Sequence, residues 1–312
     1  MDLKNALIIN SRKIINKITA YKYPETSDGW VKYEHNPVIG DKKSGSLFDP
    51  MIVEHNGRLF MFVSNRNKNG IVLYKSPDGI LWSNPVDILM SDNPEVHINR
   101  AHVVHTPVNN WNIYYTFQRG NHSCIKMISS PDISRYDIRD SIICIDGSDR
   151  KHCVMNPCVM WDIFENNYKM WFSSGDIYEP DVICYAESRD GIKWDIAQNP
   201  VLTKDRNEKY RRFKVGGCHV VRNPKGYYDM YYIGYQSMDI SAICHAYSFD
   251  GIKWIQNKGN PIVAASGKGW DGDSIYKPTF LQRNEKQYLW YNGRKGKDEY
   301  IGLATKEDHY DR

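Results

Sequence analysis

The chain has 312 residues, of which 41% are hydrophobic and 25% charged, a balance that excludes a disordered polypeptide and suits one large globular domain or two ordinary ones. A formal net charge of +4, with no long Lys or Arg run, argues against a nucleic-acid partner. Aromatic residues make up 13%, most of them Tyr, and favour strands.

The opening stretch MDLKNALIINSRKIINKITA, residues 1–20, is broken by charged or polar side chains every few positions. No run in it is long enough for a signal peptide or a membrane span, so a cytoplasmic protein without a membrane partner is expected. Residues 1–20 read as an N-terminal extension able to form a short helix, and 21–312 as a single domain.

Next comes SDGWVKYEHNPVI at 27–39, carrying Asp-Gly, Trp and Asn-Pro with no strand pattern ahead of them. The same elements return as SPDGILWSNP at 76–85, weakened as SPDISRY at 130–136, then as SRDGIKWDIAQNP at 188–200 and SFDGIKWIQNKGNP at 248–261. Counted from Asp78, Asp132, Asp190 and Asp250, the spacings are 54, 58 and 60 residues, and one more step of 58 reaches Asp308. Each period holds a short apolar segment, a turn, an aromatic strand, a polar loop and a third strand. An Asp-Gly turn then leads to a Trp-bearing fourth strand. The aromatic strands are RLFMFVS, WNIYYTF, YKMWFSS, YYDMYYIG and QYLWYNG. Asp-Gly marks a turn between strands because Gly accepts the positive φ a tight turn requires.

Four-stranded antiparallel units recurring at this period build propellers. The expected fold is all-β, a five-bladed β-propeller of four-stranded antiparallel blades. The last copy stops at Arg312 before its Trp strand, so residues 27–39 are expected to complete the fifth blade and close the ring. On this reading the repeated Asp and Trp residues are scaffold. The seven cysteines include no CxxC pair, and Cys184 and Cys244 stand six residues before their repeat Asp. They read as core-filling thiols, and neither a metal nor a cofactor is expected.

In a propeller the innermost strand of every blade lines the axis. The segments FDPMIV, NRAHVV, MNPCVM, GGCHVV and YKPTFL then put Asp49, Arg100, Asn156, Gly217 and Lys277 in one ring. Met51, His102, Cys158, His219 and Thr279 follow two residues further on. The ends of the second strands offer Arg66, Arg119, Asp176, Gln236 and Arg294 to the same face. Among the ring and strand-end positions five are basic and two acidic, a local excess of +3 that implies an anion to neutralise it. Arg presents a planar fork matched to phosphate or carboxylate. The substrate-binding set is therefore Arg66, Arg100, His102, Arg119, Asn156, His219, Lys277 and Arg294. The two His residues also read as satisfied core side chains, and their spacing is not that of a zinc site.

The five units, the Asp49-Pro50 "DP" opening the first blade and the repeated S-x-DGI-x-W...NP hairpins resemble the five-bladed glycosidase superfamily that includes glycoside hydrolase families 32, 43, 68 and 130. The resemblance covers the chain from about residue 27 onward. It implies a carbohydrate partner and a base at Asp49, as in arabinanase-like members. Where family 43 carries Asp in a third-blade "DP", this chain has Asn156, and VGGCHVV holds no Glu where the general acid is expected. Glycoside hydrolysis needs two carboxyl groups flanking the bond. Asp176, Glu179 and Asp273 are the candidates for the second, so the catalytic set is Asp49, Asp176 and Asp273.

The expected function is a carbohydrate-active enzyme acting at an anomeric centre, by hydrolysis or by phosphorolysis with inorganic phosphate as nucleophile. An anionic or phosphorylated sugar suits the basic ring. The alternatives are glycosyl transfer from a phosphorylated or nucleotide-linked sugar, and a non-catalytic propeller that binds glycan or protein.

Overall fold

The computed structural model describes residues 21–148, 152–176 and 179–307. The expected N-terminal helix and Asp308 lie outside these residues. Five antiparallel sheets account for nearly all regular structure. The first blade runs β2 (Leu47–His55), β3 (Arg58–Asn65), β4 (Gly70–Ser76) and β5 (Val86–Met90), and the second β6 (Val96–His105), β7 (Trp111–Arg119), β8 (His122–Ser130) and β9 (Ile142–Asp146). The third holds β10 (Cys153–Asp162), β11 (Asn167–Gly175), β12 (Val182–Ser188) and β13 (Asp195–Ile196). In the fourth, β14 (Lys214–Arg222), β15 (Tyr228–Ser237), β16 (Ile240–Ser248) and β17 (Ile255–Gln256) are joined by β18 (Val263–Ala264), which also pairs with β16.

The fifth blade is built from both ends of the described chain. Strands β19 (Ser274–Arg283), β20 (Lys286–Lys295) and β21 (Asp298–Glu307) are completed by β1 (Val31–Lys32), which pairs with β21 through Val31 opposite Thr305 and Lys32 opposite Ala304. The N-terminal piece thus closes the ring, as its orphan Asp-Gly and Trp implied. The inner strands β2, β6, β10, β14 and β19 touch one another in a cycle, with β19 returning to β2.

Each inter-blade gap holds its own apolar cluster. Phe62 and Ile113 meet between blades one and two, Ile125 and Phe172 between two and three, and Trp171 and Val220 between three and four. Ile243 and Leu289 share the next gap, and Trp290 and Leu59 the last. These side chains come from alternate positions of strands buried on both sides, so every strand serves the two faces of its sheet.

The repeated motif acts at these gaps. Its Ser and Asp shape the turn: Asp78 Oδ1 accepts from the amides of Ile80 and Leu81, and Ser76 Oγ accepts from Gly79. The connection is longer than the tight hairpin that Asp-Gly alone suggests, because β4 ends at Ser76 and β5 begins at Val86. Trp82 sits in that connection, ahead of the fourth strand. An aromatic side chain of the preceding blade donates to the turn glycine: Trp290 Nε1 to Gly79 O at 3.0 Å, Tyr114 Oη to Gly191 O at 2.9 Å and Trp171 Nε1 to Gly251 O at 2.8 Å. The Asn of Asn-Pro serves a third strand. Asn260 exchanges two hydrogen bonds with the His245 backbone, and Asn36 does the same with Leu303. Among the described residues no helix is long and apolar enough to cross a membrane.

Candidate functional site

Every inner strand breaks its pairing register at the same place. The shifts fall between Phe48 and Met51, Asn99 and His102, Met155 and Cys158, Gly216 and His219, and Tyr276 and Thr279. Within each break one residue has positive φ: Asp49 at 53°, Arg100 at 58°, Asn156 at 54°, Gly217 at 50° and Lys277 at 33°. These are the five ring positions. Glycine adopts this conformation freely, whereas any other L-residue pays roughly 1–2 kcal/mol there. Bulges re-aim side chains, and left-handed Arg and Lys are uncommon enough to point to a use for the geometry.

The bulges are braced between blades. The amide of Arg100 donates to Ser64 Oγ at 2.9 Å, that of Asn156 to Thr116 Oγ1 at 3.2 Å, that of Gly217 to Ser173 Oγ at 2.9 Å and that of Asp49 to Asn292 Oδ1 at 3.3 Å. Each acceptor stands at the same position of the preceding blade's second strand. Ile233 occupies that position in the fourth blade. A small polar residue recurring in FVSN, YYTF, WFSS and WYNG was the sequence signal for this brace.

Above the bulges opens a cavity of about 800 Å³. Asp49, Arg66, Arg100, Asn156 and Arg294 line it together, as the ring argument required. Glu179, Asp239, Glu299, Asn65, Asn99 and Asn292 also line it. The other expected residues lie elsewhere. Lys277 turns into the core, where its ammonium donates to Cys218 O at 2.9 Å. Arg119 lies outside the cavity lining, 3.1 Å from Glu95, with both side chains more than half exposed. Asp176 is likewise outside it and ion-paired with His152 at 3.0 Å. Asp273 lines a different pocket and is held by Lys295 Nζ at 3.2 Å and the Gly296 amide at 2.8 Å. For Arg119 the strand-end rule fails because β-strand neighbours alternate faces: Gln118 enters the cavity where Arg119 does not.

His102 and His219 are buried beneath the cavity, their ring centroids 5.5 Å apart. The Phe280 amide donates to His219 Nδ1 at 2.7 Å, so that nitrogen is an acceptor and the ring proton sits on Nε2. Burial lowers the His219 pKa to about 3 and keeps the ring neutral.

The electrostatics centre on Asp49. Burial pushes its carboxyl above the ordinary range, opposed by the positive charges of Arg100 and Lys277 and reinforced by Glu299. Its Oδ2 is buried without a hydrogen bond and lies 3.4 Å from Arg100 Nε. Glu299 accepts from Ser46 Oγ at 2.6 Å and from Arg66 at 2.8 Å. Arg66 and Arg294 each pack over an aromatic face, Phe48 at 4.6 Å and Tyr276 at 5.3 Å. The lining therefore carries four carboxyl groups (Asp49, Glu179, Asp239, Glu299) against three guanidinium groups. The carboxyl groups in the lining thus offset the guanidinium groups, which replaces the positive surplus counted along the sequence. Glu299 escaped that count because it enters from a third strand, opposite Arg294 in the β20–β21 register. Its legible signal was the short turn of NGRKGKDEY.

Comparison with known proteins supplies the wider setting. Residues 8–99 match the glycosyl hydrolases family 32 N-terminal domain. An uncharacterized protein of Mycobacterium tuberculosis is 27% identical over 147 residues, 45% of this chain and 47% of the relative, so the match spans about half the length of that relative. A thermostable family-43 glycoside hydrolase superposes with a TM-score of 0.66 at 16% identity, covering 86% of this chain and 91% of its own. An N-acetylgalactosamine deacetylase from F. plautii gives 0.70 at 17% identity over 91% and 94%. A structure described under the family 130 mannoside phosphorylases gives 0.71 at 12% identity over 92% and 96%. The chain thus has the five-bladed β-propeller fold that these solved structures share, and residues 8–99, which span its first blade, are similar to the family 32 N-terminal domain.

Proposed function

We propose that this protein is a carbohydrate-active enzyme working at a glycosidic bond, with Asp49 as the carboxyl that exchanges a proton with the glycosidic oxygen. The observation carrying this reading is the buried Oδ2 of Asp49, left without a hydrogen bond on a left-handed bulge in the axial cavity. A carboxyl whose pKa burial raises is suited to donate to a leaving oxygen. The second carboxyl in this scheme is Glu299 or Asp239, which line the same cavity. The buried amides Asn65, Asn99, Asn156 and Asn292 suit the hydroxyl groups of a neutral sugar.

A second reading, phosphorolysis or an anionic sugar, draws on Arg66, Arg100 and Arg294 converging in one cavity. Release of product from a panel of aryl glycosides, with and without phosphate, separates the two. Asp49→Asn is expected to keep the fold and lose turnover by at least about a hundredfold. Unchanged turnover removes Asp49 from the mechanism, and phosphate-dependent turnover selects the second reading.

A further inference from the structure

A second pocket of about 520 Å³ lies beside the axial cavity. Its floor is made of small residues, Gly234, Ala242, Ala264 and Gly272, and its wall of Tyr21, Tyr23 and Tyr210. Tyr21 is half exposed and packs edge-on to Tyr23 with ring centroids 4.7 Å apart. The Tyr21 backbone is fixed by Gln236, whose side chain accepts from its amide at 2.6 Å and donates to its carbonyl at 3.0 Å. Polar groups stand at the rim, among them Lys268, Lys295 and Asp273.

The two hollows share a wall one strand thick. Tyr235 and Arg294 line the axial cavity, while their chain neighbours Gln236 and Lys295 line the second pocket. Met238 and Asp239 at the β15–β16 turn face the first, and Ile240 and Ser241 face the second. The Asp273 amide donates to Arg294 O at 3.0 Å and ties the wall together. Residues adjacent in the chain thus stand on opposite sides of one divider.

We propose that this pocket is an outer saccharide subsite, so that the substrate is an oligosaccharide crossing the turn at 237–239 with one end in the axial cavity. An apolar floor bordered by aromatic rings and a few polar groups suits a sugar ring, whose C–H face packs on Tyr while its hydroxyls reach the rim. The inference rests on the glycosidic reading of the axial cavity, and it gives Asp273 a binding role instead of a catalytic one.

The test uses the full chain carrying Asp49→Asn, which prevents turnover. The probes are gluco-, manno-, galacto-, arabino- and fructo-oligosaccharides of two to six units, with affinity read by saturation-transfer NMR and calorimetry. In the series that binds, the longer members are expected to bind at least tenfold more tightly than the dimer. Adding Tyr21→Ala, or Ala265→Trp to fill the pocket, should bring them back to the dimer's level. Two variants guard against misfolding of either. Affinity that is flat with chain length, yet lost in Arg100→Ala, overturns the outer subsite and leaves the axial reading standing. Binding of no series overturns both.

Discussion

Arg100 Nε lies 3.4 Å from Asp49 Oδ2, and the two residues occupy the left-handed bulges of neighbouring inner strands. The guanidinium favours the ionised carboxyl, whereas burial disfavours it, and burial prevails. Two strained backbones in adjacent blades thus set one buried acid against one partly buried base at the bottom of a cavity.

This relationship fixes the sign of a pH effect. Asp49 has a pKa raised on folding, so its contribution to stability is fully present below the unfolded value near 4 and is lost as pH rises through the folded value. Asp49→Asn should therefore gain stability relative to the parent between pH 4 and pH 7, by about 1.4 kcal/mol for each unit of elevation. Urea unfolding of both proteins across that range measures it. A gap that closes as pH rises would mean that Arg100 outweighs burial.

His219 acts in the opposite direction. Its folded pKa of about 3 lies below the unfolded value near 6.5, so the ring must be neutral for the fold to be stable. Stability should decline as pH falls from about 6.5, and His219→Gln, which keeps an acceptor for the Phe280 amide, should flatten that decline. Equal slopes for the two proteins between pH 7 and pH 5 would show that other groups govern it.

Gly79 tests the inter-blade clasp. Its φ is 81°, and an added Cβ would stand 2.6 Å from Trp290 Cζ2. Gly79→Ala is expected to cost about 2–4 kcal/mol, combining left-handed strain with overpacking. Gly57, with φ at 70° and nothing within 4 Å of an added Cβ, supplies the control. Gly57→Ala should cost only about 1 kcal/mol. Equal losses in chemical denaturation would remove the clasp from the account of stability.

Anion binding at the Arg66, Arg100 and Arg294 wall has a thermal signature. If phosphate or a sugar phosphate binds there, a concentration about a hundred times its dissociation constant should stabilise the fold by roughly 2.7 kcal/mol. A melting temperature indifferent to both, in a protein that still binds neutral saccharides, would place the guanidinium groups in internal pairing with Glu299 and Asp239.

The repeat, the blade number and the closure of the ring were all legible in the chain. Each rests on local signals, such as Asp-Gly turns, aromatic strands and an orphan SDGW at 27–30, recurring at a regular period. The ring of Asp49, Arg100 and Asn156 followed from the same regularity, since equivalent positions in a closed propeller must converge. What only the tertiary structure decided was the direction of each side chain. Lys277 occupies a ring position yet turns into the core, and Arg119 lies one residue past the strand position that enters the cavity. Glu299 and Asp239 reach the cavity from a third strand and a turn, completing a charge balance that inner-strand positions alone left positive. Periodicity places backbones, whereas rotamers, bulges and cross-strand partners place charges, and those depend on neighbours that are distant in the chain.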